Sequence, residues 1–197
     1  NSRWPVRDDG EKSEIDMHHH FIRAADVKPT TAFPKNGKGY RRFALSDRSV
    51  GAVHTGWGMS ELDAGGHVDL AMQAVEESFY VLAGNPTLIL DGRGYRLSPG
   101  ACGLIPVGMK HAWLGPTSGT ARWIDMNAPC PKGENFAEGT YFLGSPPSVS
   151  VEDFDIRDVS SRHLFKMGED DIKVDSVRTG LKKDAAKVSA SMATALL

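Results

Sequence analysis

Carboxylates, histidines and cysteines are the side chains of this chain that could do chemistry, and their spacing limits what they could do together. Glu76 and Glu77 are adjacent carboxylates, and paired carboxylates can serve general acid–base catalysis. The residues around them favour a β-strand, on which neighbouring side chains point to opposite faces. Glu76 and Glu77 are therefore not predicted to form an acid–base pair.

The histidines are not grouped in a pattern typical of a metal site. His18, His19 and His20 are consecutive, and adjacent imidazoles on a strand would face opposite ways. Metal binding by this triplet is an alternative, but a structural or surface role is favoured. His54 lies in an apolar, strand-like segment and is interpreted as a core or edge histidine rather than as a ligand.

Sequence motifs for several common enzyme classes are missing. The chain has no G-x-S-x-G nucleophile elbow, no phosphate-binding loop and no C-x-x-C pair. Gly92 and Gly94 belong to a predicted hairpin rather than to a dinucleotide-binding turn. Two cysteines, Cys102 and Cys130, do not make a disulfide framework, which favours a reducing compartment and predicts a cytoplasmic location.

The charge pattern argues against polyanionic partners. The net charge is −2, the sequence pI is about 6.4, and no basic block is present. No apolar run approaches the roughly 18–20 residues needed to span a bilayer. We therefore expect no nucleic-acid partner and no membrane partner.

The elements that would position these side chains are short strands. The 197 residues include 21 glycines and 11 prolines, and the segments between these turn formers are short and apolar. Leu88 to Leu97 is predicted to be a hairpin, because Asp91-Gly92 favours a turn with positive φ. Strands and helices do not alternate, so the pattern predicts an all-β sandwich or barrel.

Glycines and a proline at fixed offsets surround Glu77 and His111 in two clusters, with fifteen residues between them. The first cluster is Gly65, five residues, Ala71-x-Gln73, three residues, Glu77, six residues, Gly84. The second is Gly100, five residues, Pro106-x-Gly108, two residues, His111, three residues, Gly115. These two clusters resemble the two conserved motifs of the cupin superfamily.

The resemblance covers about residues 40–130 and implies an all-β fold, the cupin double-stranded β-helix or jelly-roll barrel. An N-terminal arm (1–39) would precede the barrel, and a linker and C-terminal extension (131–197) would follow it. The wider arrangement resembles one half of a bicupin, so the extension could lead to a second cupin. A nearer likeness is to the N-terminal half of (S)-ureidoglycine aminohydrolase-like proteins, in which the second cupin mainly holds the metal.

The resemblance also implies where a metal would lie. In metal-binding cupins, two histidines and a glutamate of the first motif and a histidine of the second hold Mn, Fe, Ni or Zn. Glu77 and His111 keep their positions here, whereas Ala71 and Gln73 replace the two histidines. Gln73, Glu77 and His111 are thus the remaining candidate ligands, and an amide oxygen is a neutral, weaker donor.

Three further residues are predicted to lie at the pocket. His67 and Asp69 share strand parity with Ala71 and Gln73, so they could face the same interior about 7–14 Å away along the strand. Trp113 is one of several predicted barrel-wall aromatics and the one assigned to the pocket.

Two functions follow from these expectations. The first is a cupin barrel with a degenerate metal site and no cofactor, in which Glu77 and His111 form a buried hydrogen-bonded pair. Such a barrel would bind a small molecule or serve as the structural partner of a second cupin, and it could form a homodimer. The alternative is a metal-dependent cupin enzyme of hydrolase or oxygenase type that uses Gln73, Glu77 and His111 on a small metabolite.

Overall fold

The computed structural model describes residues 26–29, 35–132, 138–155 and 163–166. The histidine triplet at 18–20 and most of the predicted arm and C-terminal extension lie outside these ranges. Eleven strands are present in the described part of the chain: β1 Gly37–Ser46, β2 Gly56–Gln73, β3 Glu76–Ala83, β4 Thr87–Leu90, β5 Arg93–Arg96, β6 Ala101–Ile105, β7 His111–Leu114, β8 Thr120–Ala128, β9 Thr140–Gly144, β10 Val151–Asp153 and β11 Leu164–Lys166. A 3-10 turn, Arg48–Val50, separates β1 from β2.

The strand β2 is the element from which the sheet is built. Its first half pairs with β1 and β8, and its second half pairs with β7 and β9. The remaining strands extend the sheet on both sides in the order β10-β5-β4-β7-β2-β8-β3-β6-β11. This curled, almost entirely stranded sheet confirms the predicted all-β cupin jelly-roll fold.

Glycine allows β2 to pass from one half of the sheet to the other. Gly65 has a φ of 66°, and Gly66 follows it at a point of close backbone approach. A Cβ on Gly66 would lie 2.5 Å from the carbonyl oxygen of Lys38 and 2.9 Å from that of Asp63. Only a residue without a side chain fits this corner.

The predicted hairpin is present, with β4 paired to β5 through Asp91-Gly92. Both turn residues have positive φ, 47° and 84°, as an Asp-Gly two-residue turn requires. Through β4 this hairpin also pairs with β7, the strand that begins at His111.

Three strands of the segment predicted as linker and extension pair with the barrel. β9 pairs antiparallel with β2, β11 pairs antiparallel with β6, and β10 runs parallel to β5. The division of the chain into arm, barrel and extension stays a prediction. No helix in the described residues is long and apolar enough to cross a membrane.

The core lies inside the curled sheet and is rich in aromatic and branched side chains. Trp123, Phe79, Leu62 and Ile105 are at most 2% exposed. Trp113 stacks on Trp123 with ring centroids 4.5 Å apart, and Phe79 meets Trp113 edge-on at 5.1 Å. These aromatic contacts form one wall of the cavity described below.

Candidate functional site

A small cavity inside the barrel brings together the residues kept from both motifs. Its volume is about 40 Å³, which is room for roughly two or three water molecules. Gln73 ends β2, Glu77 lies in β3 and His111 begins β7. The residues that line the cavity come from five strands: Tyr40, Arg42, Val68, Gln73, Glu77, His111, Trp113, Trp123, Asp125 and Asn127.

Glu77 is a buried carboxyl group, 7% exposed. Loss of hydration and the nearby negative charge of Asp125 raise the pKa of Glu77 to about 8, although a hydrogen bond from the Gln73 side chain and the charge of Arg42 oppose the rise. At neutral pH this carboxyl group is therefore largely protonated and uncharged.

Gln73 uses only part of its hydrogen-bonding capacity. A donor to the carboxylate of Glu77 must be the amide nitrogen, because the amide oxygen has no hydrogen to give. The other end of the amide, Oε1, is buried and has no hydrogen-bond partner. An unpaired buried acceptor costs roughly 1–3 kcal/mol, so this oxygen indicates a place where a ligand or a water donates.

His111 is held in one orientation by the backbone. Its Nδ1 lies 3.0 Å from the carbonyl oxygen of Met109. A carbonyl oxygen can only accept, so Nδ1 carries the hydrogen. Burial lowers the pKa of His111 below its usual value, although the Met109 hydrogen bond opposes this. The ring is thus neutral near pH 7, and its Nε2 is an acceptor.

The hydrogen-bonded pair of Glu77 and His111 expected from the sequence is not formed. Glu77 receives its hydrogen bond from Gln73, and the ring of His111 bonds to the backbone of Met109. Both side chains line the same cavity, each with its own partner.

A buried ion pair also faces the cavity. Arg42, on β1, donates from Nε to Oδ1 of Asp125, on β8, at 2.9 Å, and both residues are 3% exposed. The second carboxylate oxygen of Asp125 accepts from the hydroxyl of Ser60 at 2.7 Å. Tyr40 and Ser60 share a further hydrogen bond of 2.9 Å. This network ties β1, β2 and β8 together below the cavity.

His67 and Asp69, which were predicted to share the interior face of Gln73, are not among the residues that line this cavity. The pairing of β2 with β7 is irregular between Val68 and Ala71, which is a β-bulge. Val68 therefore faces the cavity before the bulge and Gln73 faces it after the bulge. His67 and Asp69 instead contact each other, with Nε2 and Oδ1 3.5 Å apart. Trp113 does line the cavity.

Sequence reasoning missed Arg42, Asp125 and Asn127. A signal was present in β8, where alternate residues Trp123, Asp125 and Asn127 are buried while Ile124 and Met126 between them are less so. Polar residues at the inward positions of an apolar strand are buried only with partners. The partner Arg42 is 83 residues away, so the sequence alone does not pair them.

The residues present do not fit a tightly bound transition metal. Tight Mn, Fe, Ni or Zn sites take several imidazole, thiolate or carboxylate ligands. In the described residues, no three His, Cys, Asp or Glu side chains come together. The cavity offers one imidazole, a carboxyl group with a raised pKa and the amide oxygens of Gln73 and Asn127, while the carboxylate of Asp125 is already bound to Arg42 and Ser60 and Ala71 supplies no ligand.

The arrangement can exchange protons and hydrogen bonds with a small molecule. Glu77 presents a protonated carboxyl group and His111 a basic nitrogen on the same cavity. A donor and an acceptor of this kind are the elements of general acid–base chemistry. The aromatic wall of Trp113 and Trp123 limits the space available to any ligand.

The family model for the cupin domain called Cupin_2 matches residues 58–127. That stretch begins in β2 and ends in β8, so it contains Gln73, Glu77 and His111. No curated protein sequence matches the chain.

Solved structures share the fold at low sequence identity. The polyketide cyclase RemF from Streptomyces resistomycificus aligns with a TM-score of 0.57 and 23% identity, over 66% of this chain and 88% of that protein. A cupin-like protein from Thermotoga maritima aligns at 0.50 and 15% identity, over 60% and 87%. KdgF from Halomonas sp. aligns at 0.50 and 18% identity, over 60% and 98%. Identities this low establish a common fold and nothing about a shared reaction.

Proposed function

Since the chain belongs to the cupin superfamily, we propose that its barrel binds a small polar molecule in a former metal site that no longer holds a metal. The ligand lies among Gln73, Glu77 and His111, with Trp113 as part of the wall. The ion pair of Arg42 and Asp125 joins β1 to β8 beside the ligand.

The unpartnered Oε1 of Gln73 is the observation that carries this proposal. This oxygen is buried beside a cavity with room for a few atoms other than hydrogen, and the protein itself offers it no donor. Buried polar groups in proteins are nearly always hydrogen-bonded, so a molecule from solution is the natural partner. The neutral Nε2 of His111 offers a second acceptor in the same space.

A metal-dependent enzyme of hydrolase or oxygenase type is the competing function. It would need Gln73, Glu77 and His111 to hold Mn, Fe, Ni or Zn, and this donor set does not favour tight binding. RemF is a polyketide cyclase with the same fold, so the barrel is compatible with catalysis, but the similarity supports nothing beyond the fold.

Elemental analysis of purified, dialysed protein separates the two functions. We expect less than about 0.1 equivalent of any transition metal, because a site with one imidazole loses its ion on dialysis. A stoichiometric ion that survives dialysis, and that is lost in Glu77→Gln but kept in the exposed control Glu152→Gln, would overturn our proposal and favour the metalloenzyme.

A screen of small polar molecules by nuclear magnetic resonance tests binding itself. The compounds, all at matched ionic strength, are formate and acetate as acceptors, urea and acetamide as neutral donors, and methylammonium as a cationic donor. We expect at least one to shift the amide signals of residues 73, 77 and 111. If none does, the barrel has no small-molecule site of this kind.

A partner role is part of the same proposal. The chain would pair with a second copy or with a second cupin domain, as a bicupin half does. Several large apolar side chains in the described residues are more than one-third exposed: Trp57, Val53, Val107, Tyr141 and Leu143. Light scattering over a range of concentrations tests for a homodimer, whose mass would be twice 21.3 kDa.

A further inference from the structure

We propose that the group bound in this cavity is a primary ammonium, so that the ligand is ammonium itself or a small primary amine. This inference rests on the proposed function, because it names the chemical class of the ligand for the same site. It follows from which hydrogen-bonding groups the cavity leaves open.

Gln73 and His111 each present an open acceptor, and Asn127 also lines the cavity with an amide that can both donate and accept. Gln73 Oε1 has no partner, and the Nε2 of His111 is an acceptor because Nδ1 donates to Met109. Glu77 becomes the third when a bound cation displaces its proton, since an ionised carboxylate has about four lone-pair positions and Gln73 takes one of them. A primary ammonium has three N–H donors and no acceptor, so it matches three acceptors. A carboxylate ligand would bring further acceptors and leave Oε1 of Gln73 without a donor.

The charges favour the same ligand. Arg42 and Asp125 are joined by a hydrogen-bonded ion pair, so together they add no net charge to the cavity. Glu77 is the remaining acidic residue of the lining. A bound monocation favours the ionised form of Glu77, which is otherwise largely protonated at neutral pH, and the resulting pair is neutral. A divalent ion would leave an excess positive charge in a buried space.

The dimensions restrict the ligand to a small head group. A volume of about 40 Å³ holds ammonium or methylammonium, and the tail of a longer amine would have to leave the cavity. Gln73 is only partly buried, whereas Glu77 and His111 are 7% and 5% exposed. A longer amine would therefore extend past Gln73, at the end of β2.

Titration with methylammonium chloride at constant ionic strength, followed by amide chemical shifts, tests the inference on the full chain. We expect saturable shifts at residues 73, 77 and 111. The potassium ion has the same charge and a size close to that of ammonium but no N–H group, so it should bind at least about tenfold more weakly. Equal binding of the two cations, or no binding of methylammonium, would overturn the inference.

Variants locate the binding site. Gln73→Leu removes the acceptor at similar size, and Glu77→Gln removes the charge; each should weaken methylammonium binding by about tenfold or more. The controls are Glu152→Gln, at an exposed carboxylate, and His67→Ala, at a histidine outside the cavity, and both should bind as the unaltered chain does. Because potassium and methylammonium are compared on the unaltered chain, a variant that fails to fold does not decide the outcome.

The two proposals fail in different ways. If urea, acetamide or acetate shifts residues 73, 77 and 111 and methylammonium does not, the cavity is a small-molecule site but the ligand is not an amine. If no compound of the screen shifts these residues, the proposed function fails together with this inference.

Discussion

Arg42 and Asp125 form an ion pair inside the barrel, 83 residues apart in sequence and each 3% exposed. Asp125 also accepts from Ser60, so both of its carboxylate oxygens are hydrogen-bonded. Asp125 lies close enough to Glu77 to raise its pKa. The pair therefore joins β1 to β8 and also affects the protonation of Glu77.

Removing one partner of this pair should destabilise the fold strongly. Asp125→Asn leaves the buried guanidinium of Arg42 without its counter-ion, and such changes cost about 3–5 kcal/mol of unfolding free energy. Chemical denaturation measures the loss.

The double variant Arg42→Met/Asp125→Leu is the matched control, because it removes both charges and fills the space with apolar atoms. It should be less destabilised than Asp125→Asn. A single variant as stable as the unaltered chain would mean that Arg42 does not depend on Asp125.

Stability should fall with rising pH because of Glu77. Its pKa is about 8 in the folded chain and near its ordinary 4.5 in the unfolded chain. Between these values the folded state holds a proton that the unfolded state has released, so folding becomes less favourable as pH rises. Each pH unit within the window costs up to about 1.4 kcal/mol.

Glu77→Gln keeps the shape and removes this titration. We expect its unfolding free energy, relative to that of the unaltered chain, to rise by about 1–4 kcal/mol between pH 5 and pH 9. Glu152→Gln, at an exposed carboxylate, should show no such trend. Parallel pH profiles for Glu77→Gln and the unaltered chain would contradict the raised pKa.

Restoring the two lost histidines should restore metal binding. Ala71 lies directly opposite His111 in the β2–β7 pairing, and Gln73 lines the cavity with Glu77 and His111. Ala71→His/Gln73→His would supply three imidazoles and one carboxylate, a set suited to Zn, Ni or Mn. We expect about one equivalent of metal by elemental analysis after dialysis.

Each single histidine variant is a control for the restored site, because two imidazoles and a carboxylate should hold metal less tightly than three imidazoles and a carboxylate. A double variant that folds, as judged by its circular dichroism, and still takes up no metal would show that the four positions no longer converge.

The sequence predicts those parts of the fold that depend on local backbone geometry. Gly65 of the first motif and both residues of the Asp91-Gly92 turn have positive φ. The strands β2, β3, β4 and β5 lie on either side of these turns. The sequence assigned one parity to β2 from His67 to Gln73, whereas the bulge between Val68 and Ala71 changes the parity within that stretch, so that Val68 and Gln73 both face the cavity. The ion pair of Arg42 and Asp125 depends on packing between distant strands, and no local pattern encodes it.

Gly65 and Gly66 offer a test of how the corner in β2 is specified. Alanine at 65 meets no atom within 4 Å, so Gly65→Ala should cost only the strain of positive φ, about 1–2 kcal/mol. At Gly66 the added Cβ would lie 2.5 Å from the carbonyl oxygen of Lys38, a backbone atom that cannot move without separating β1 from β2. We therefore expect Gly66→Ala to lose at least about 2 kcal/mol more unfolding free energy than Gly65→Ala, measured by urea denaturation under identical conditions. Equal losses would mean that the φ of the corner, rather than the close approach of β1, makes glycine necessary there.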